Sequence, residues 1–298
     1  MSVNQTGPKH NHTQPKEAQY SFFDLLKKPI EIYMFTDPLC PEAWSLDPIM
    51  RKLQLEYGRF FTIRPILTGK WSYIYQDDLH TPKKLKAQWE KTACVTGVCC
   101  DGDLWIENPV SYPVNVSIAI KTAELQGIKA GRRYLRKVQE KLFLYKTDIS
   151  TDDELIQIAQ DVHLDIDEFK RDLHSDTAKK ALRCDLNLTK EMDVDHTPSL
   201  VFFNEDDEDE GLKLSGAYPY EIYVKVLKQL LEHDVYPMEK PALLDFIRYF
   251  KFVSSVEVAI IFDWPVEKAC KEMKKLKLQR IVEHVPVKHG MYWRYLEN

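Results

Sequence analysis

Cysteine is scarce in this chain: six residues, at positions 40, 94, 99, 100, 184 and 270, are scattered over 298. That is too sparse for a disulfide framework, so the thiols are read as reduced. No apolar run approaches the roughly 20 residues of a membrane span, and the polar stretch from Met1 to Lys16 holds no signal-peptide core. Both absences predict a cytosolic protein with no membrane partner. A glycine-rich phosphate loop, a His-Glu-X-X-His pair and a Gly-X-Ser-X-Gly elbow are missing too, which leaves nucleotide use and hydrolysis without residues and predicts no cofactor. Nor is there an excess of positive charge. The formal net charge is −5, which gives no reason to expect nucleic acid as the main partner.

What is present is a chain about two domains long, 44% hydrophobic, with enough apolar residues for a sizeable core. Residues 1–19 are rich in Asn, Gln, His, Lys, Thr and Pro with little to bury, and are read as a disordered leader. His10 and His12 lie there as weak metal-ligand candidates. Two tail histidines without a nearby thiol are more often solvated.

The informative stretch runs from Ile30 to Trp44. A β-type apolar run, 30–36, ends in the turn pair Asp37-Pro38, and Cys40-Pro41-Glu42-Ala43 opens a helical pattern over 41–57 that ends at Gly58. A thiol at a helix N-terminus faces unpaired N–H groups and the positive end of the helix dipole, so Cys40 is expected to have a pKa below the ordinary value of about 8.5. A Cys-X-X-Cys pair would put its second thiol at position 43, where this chain has alanine. Thiol–disulfide exchange passes through a mixed disulfide that a resolving thiol must release, so Cys40 could be trapped but could not turn over by the two-cysteine route.

A strand at 59–67 completes a βαβ unit with a parallel pair, and Pro48 inside the helix is expected to kink it. Residues of about 80–190 read as a helical block, with Thr151-Asp152-Asp153-Glu154 in capping-box form and a short helix opening at Asp165. Thr197-Pro198 then leads into a short apolar strand. The acidic run Glu205 to Glu210 follows as a solvated hairpin loop, then a strand over 212–216 and a helix over 219–233. His196 either stabilises a Cys40 thiolate or serves only the loop. Cys94, Cys99 and Cys100, with Asp101 and Asp103, lack zinc-ligand spacing and are read as buried or incidental thiols; Cys184 and Cys270 are read as packing residues on helical apolar faces.

Strand, Cys-Pro-X-X, helix, strand, helical insertion, Thr-Pro, hairpin and helix, in that order, resemble the DsbA-like branch of the thioredoxin superfamily over about residues 29–233. That resemblance implies a cis peptide bond at Pro198 set against the Cys40 thiol. Phe35-Thr36-Asp37-Pro38-Leu39-Cys40-Pro41-Glu42-Ala43-Trp44-Ser45-Leu46-Asp47-Pro48 and the following Lys52 to Gly58 more closely resemble the YjbH/SpxH family of Gram-positive bacteria. Members of that family are cytosolic adaptors that present the stress regulator Spx to the ClpXP protease, and many carry a second cysteine where this chain has Ala43. The resemblance implies a non-enzymatic adaptor with Spx, and through it ClpXP, as partners. The alternative is a DsbA-like thiol-disulfide oxidoreductase with an incomplete motif.

The expected organisation is therefore a leader over 1–19, a DsbA-like thioredoxin domain over 20–236, and a winged-helix-like domain over 241–298. In the last, helices are predicted over 242–252, 254–262 and 264–277, and strands over 278–284 and 291–296. Val266, Cys270 and Met273 are placed on its buried face, and Lys268, Lys271 and Lys275 on an exposed ridge. This segment has ten Lys and Arg against seven Asp and Glu, a net of +3, so the remainder carries −8. A net of +3 is small for a DNA-binding unit, and protein contact or domain packing is the favoured reading.

Overall fold

The structure is a computed structural model that describes residues 28–71, 81–204, 211–232 and 234–297. His10, His12 and the acidic run Glu205–Glu210 lie outside the described residues.

Strand β1 (Ile30–Thr36) alternates its side chains between two layers. Ile30 and Ile32 are fully buried on one side, beneath Leu46, Met50 and Leu53 of helix α1 (Pro41–Tyr57). Phe35 packs on the other side, with Ile66 and Val201. α1 passes through Pro48 without a break, and its bounds are those the periodicity predicts. Strand β2 (Phe61–Leu67) runs parallel to β1 with Ile30 opposite Phe61.

Among the described residues, seven helices lie between β2 and the next strand of the sheet: α2 (Pro82–Thr96), α3 (Leu104–Glu107), α4 (Pro113–Leu125), α5 (Ile128–Tyr145), α6 (Asp152–Asp161), α7 (Ile166–Asp172) and α8 (Asp176–Glu191). Asp165 caps α7 by accepting from the Glu168 backbone N–H, as a helix start there requires. Thr151 stands at the α6 N-cap without a side-chain cap bond, so the capping box expected there does not close. The insertion shares a large core with the start of α1 and with the C-terminal elements, in which Phe143 lies between Trp44 and Trp89, with ring centroids 5.5 and 4.4 Å away.

The chain returns through β3 (Ser199–Asn204), antiparallel to β1, then β4 (Leu212–Ser215) and α9 (Tyr220–Leu231), giving the sheet order β2-β1-β3-β4. α9 joins α1 over one face of the sheet through Tyr223 and Leu227. On the opposite face, Leu188 and Met192, at the C-terminal end of α8, pack beside Phe35. The β2 edge is closed by the insertion. Arg132 donates to the Ile63 carbonyl at 2.8 Å, Asp185 accepts from the Leu67 N–H at 2.9 Å, and Pro65 has no N–H to offer.

The remaining elements are α10 (Leu243–Phe250), β5 (Phe252–Ser254), α11 (Ser255–Phe262), α12 (Val266–Leu278), β6 (Val282–Val285) and β7 (Tyr292–Tyr295), with a second sheet in the order β5-β7-β6. β5 falls where a helix to residue 252 was expected. Lys251, with φ +61°, ends α10, and pairing with β7 claims the next three residues. The capping box in this part of the chain is Ser254 with Glu257. α12 buries Ala269 and Met273, whereas Val266 is exposed and Cys270 half-buried, so the predicted buried face is rotated from the observed one. Cys184 is likewise exposed and is not a packing residue.

Helix α1 ties the parts together. Arg51 Nη1 meets Glu257 Oε1 at 2.6 Å and Arg51 Nε meets Asp47 at 2.9 Å, while Arg136 of α5 meets Asp47 at 2.6 Å and Glu257 at 3.6 Å. One buried carboxylate from α11 is thus shared between arginines of the thioredoxin-like core and of the insertion. Burial alone would raise the Asp47 carboxyl, but Arg51 and Arg136 outweigh it and hold it below the usual carboxylate range. Gly97 marks a close approach between insertion and C-terminal elements. Its φ is +71°, and a Cβ there would come within 3.1 Å of Val256 Cγ2.

Candidate functional site

The Asp37-Pro38-Leu39 turn delivers Cys40 to the N-cap of α1, with Pro41 as the first helical residue. Cys40 has extended backbone angles (φ −80°, ψ 115°), and its carbonyl accepts from the Trp44 N–H at 3.1 Å. Its thiol lies 3.3 Å from Glu42 Oε2 and 3.4 Å from the Thr197 carbonyl oxygen, 157 residues away in sequence. The Thr197–Pro198 peptide bond is cis, and the Thr197 hydroxyl is 3.2 Å from that of Thr68, at the end of β2. Cys40, Pro41, Thr197 and Pro198 therefore meet at one point. Ala43, at the position of a second thiol, is partly buried and packs against the core of the insertion.

Electrostatically the site is the reverse of an activated thiol. Cys40 is only 2% exposed. Burial pushes its pKa well above the ordinary thiol value, the Glu42 carboxylate adds to this, and the one opposing influence is the N–H of Ala43 at the helix start. The expected lowering by the helix N-terminus is overturned because desolvation and two acidic neighbours, Glu42 and Asp37, act on the same sulfur. His196 does not supply a compensating cation at Cys40. It is 68% exposed, and its Nδ1 pairs with Asp195 at 2.8 Å.

Three residues of this region escaped the sequence reading. Asp37 is buried and accepts from the Leu39 and Trp71 N–H groups at 3.1 and 3.2 Å; burial is the leading cause that raises its pKa to about 6. Glu42 faces both Cys40 and Gln88 of α2. Trp44 donates from its indole to the Cys99 carbonyl at 3.0 Å, and Arg136 stacks on its ring at 4.3 Å. The only available signal was the Asp-Pro turn itself, since Gln88, Cys99 and Arg136 arrive from the insertion. Cys99 and Cys100 are fully buried and raised in pKa chiefly by desolvation, Cys99 to about 11; Cys94 is exposed. That agrees with buried or incidental thiols.

Glu90, Asp101 and Asp103 bring carboxylate oxygens within 4.8 Å of one another, as a cation site would require. A protein cation already stands among them. Lys288 Nζ, from the β6–β7 loop, lies 2.6 Å from Glu90, 3.3 Å from Asp101 and 2.6 Å from Asp103, and His289 Nε2 is 2.6 Å from Glu90. This cluster is a clasp between the insertion and the C-terminal elements. Among the described residues no helix is long and apolar enough to cross a membrane.

Comparison with known proteins agrees with this architecture. The thioredoxin family model matches residues 33–225. Among solved structures, a chain from Nitrosomonas europaea superposes with a TM-score of 0.56 at 17% identity, covering 68% of this chain and 96% of that one. The cytosolic disulfide reductase DsbM of Pseudomonas aeruginosa gives 0.52 at 14% identity, covering 68% and 97%. At such identities the likeness is one of fold. Curated relatives are much nearer. The ClpXP adapter protein SpxH of Bacillus subtilis is 48% identical over 273 residues, 91% of this chain and 90% of the relative, and that of Halalkalibacterium halodurans is 47% identical over 276 residues with the same coverage. The chain is therefore a thioredoxin-fold protein of the YjbH/SpxH family.

Proposed function

We propose that this protein is a non-enzymatic cytoplasmic adaptor that binds the regulator Spx and promotes its degradation by ClpXP. The observation that carries the reading is near-full-length identity of 48% to a protein named ClpXP adapter protein SpxH. The chemistry at Cys40 supports it. A thiol that is 2% exposed, raised in pKa and without a second thiol at position 43 is poorly suited to turnover. In this account the thioredoxin fold serves as a binding scaffold. Holding substrate and protease together raises the effective concentration of the substrate at the unfoldase.

The domain reading has a leader over 1–19, a DsbA-like domain over 20–236 and a winged-helix-like unit over 241–298. It is supported by the helix, strand, helix, helix, strand, strand order of the last unit and by its separate core around Phe246, Val258 and Trp293. The site residues proposed for the DsbA-like domain are Cys40, Pro41, Thr197 and Pro198, as remnants of a redox motif around Ala43.

The test is degradation of purified Spx by ClpXP with and without this protein. Accelerated loss of Spx is expected; an unchanged Spx lifetime would refute the reading. The oxidoreductase alternative rests on Cys40 facing the Thr197 carbonyl. It predicts that Ala43→Cys gains disulfide-exchange activity towards a model disulfide, whereas the adaptor reading predicts negligible turnover.

A further inference from the structure

α12 packs into its own core through Ala269 and Met273 and leaves a second apolar row facing outward. Val266 is 43% and Leu278 86% exposed, with the half-buried Cys270 between them. Positions 266, 270, 274 and 278 lie four apart, so they form one ridge along the helix. Lys274 occupies the third position of that ridge. Its methylenes continue the apolar strip while its ammonium stands clear of it. Lys271 and Lys275 flank the row and, with Glu267, line the same groove. Lys275 is engaged by Glu272 at 2.7 Å, whereas Lys271 and Lys274 have no acidic partner among the described residues.

An apolar row with unneutralised lysines beside it is complementary to a helix of matching design. We propose that the outward face of α12 docks an acidic amphipathic helix of a partner protein. In that complex, apolar anchors at i, i+4 and i+11 would cover Val266, Cys270 and Leu278, while flanking carboxylates meet Lys271 and Lys274. The row runs the thirteen residues of the helix, about 18 Å from first to last, which matches a partner helix of three to four turns. Duplex DNA fits less well. The centre of the face is apolar where a phosphate contact needs cations, and Glu267 and Glu272 border it. This surface is separate from the Cys40 site, and the proposal stands independently of the redox or adaptor reading.

The test uses the full chain and a fluorescein-labelled designed helix with leucines at i, i+4 and i+11 flanked by glutamates, followed by anisotropy. A peptide with lysine in place of each glutamate and a mixed-sequence DNA duplex serve as competitors. The acidic peptide should bind best. Leu278→Ser should weaken it about tenfold or more, as removal of one leucine anchor implies. Lys271→Glu with Lys274→Glu should weaken it at least as much and shift preference to the lysine peptide. All three positions are exposed, so an unchanged melting temperature is the control for folding. Absence of acidic-peptide binding, equal binding by parent and variants, or tighter binding of the duplex would overturn the proposal.

Discussion

Replacing Glu257 by glutamine tests whether the C-terminal elements are locked to the rest of the chain by charge. The Glu257 side chain is 1% exposed, and its carboxylate faces Arg51 and Arg136, which are 14% and 16% exposed. Breaking a buried pair by removing one partner costs about 3–5 kcal/mol, because the remaining charge stays desolvated. Here Asp47 continues to serve both arginines and Glu140 also serves Arg136, so the low end, about 3 kcal/mol, is the appropriate value. With an unfolding entropy of about 2 cal/mol/K per residue, a cooperative chain of this size loses roughly 1.5–2 °C of Tm per kcal/mol. Glu257→Gln should therefore lower Tm by about 5 °C if the molecule unfolds as one unit. If residues 241–298 melt separately, the same loss falls on far fewer residues, and an early transition should split off in calorimetry. Limited proteolysis near Tyr236 would report the same undocking. A variant with unchanged Tm, a single transition and parental protease resistance would show that the carboxylate contributes nothing to docking, and the argument for a charge lock would fail.

Asp185→Ala should lower the urea midpoint, with a cost at the low end of the range, about 3 kcal/mol, because the Leu67 N–H loses its buried acceptor while Lys121 keeps Glu124. Asp185→Asn, which keeps an acceptor for the Leu67 N–H, should cost less than Asp185→Ala, and equal losses would contradict the desolvation argument. Iodoacetamide at neutral pH should label the exposed Cys94 and Cys184 well before Cys40, read by peptide mass spectrometry; Cys40 labelling at their rate would refute a buried, raised thiol. Hydrogen bonds from Lys288 and Lys86 hold the Asp103 carboxyl down at about 2. The clasp therefore contributes stability above the unfolded carboxyl range near pH 4 and loses it as pH falls towards 2. Lys288→Met should reduce that part of the acid sensitivity, leaving the share due to Lys86, which urea midpoints measured from pH 5 downwards, in steps of about half a unit, would show.

How much of this was legible in the sequence depends on how far apart the interacting residues lie. β1 and α1 announce themselves through period-two and period-3.6 patterns bounded by Asp37-Pro38 and Gly58, and both have the predicted bounds. The joining of Cys40 to Thr197-Pro198 was implied by the resemblance to the DsbA-like branch, which the order of motifs carries. The protonation behaviour of Cys40 was not, because its leading cause is burial, which is a property of the assembled fold. Thr151 and Ser254 make the same point about local motifs. Both stand three residues before a glutamate, yet only Ser254 closes a capping box, where Glu257 is held at the interface with α1 and α5. On α12 the period was right and the phase wrong. Ala269 and Met273 face the core, which leaves Val266 exposed and Cys270 half-buried, and a periodicity argument has no means of fixing that rotation without the partner surface.

The central claim is that this thioredoxin fold acts by binding, without thiol turnover. Cys40→Ser changes one atom in a buried site and removes its redox chemistry while preserving its shape. In a reconstituted reaction of ClpXP with Spx, the account predicts that this variant and the parent accelerate Spx degradation equally. Loss of acceleration by a folded Cys40→Ser protein would contradict it.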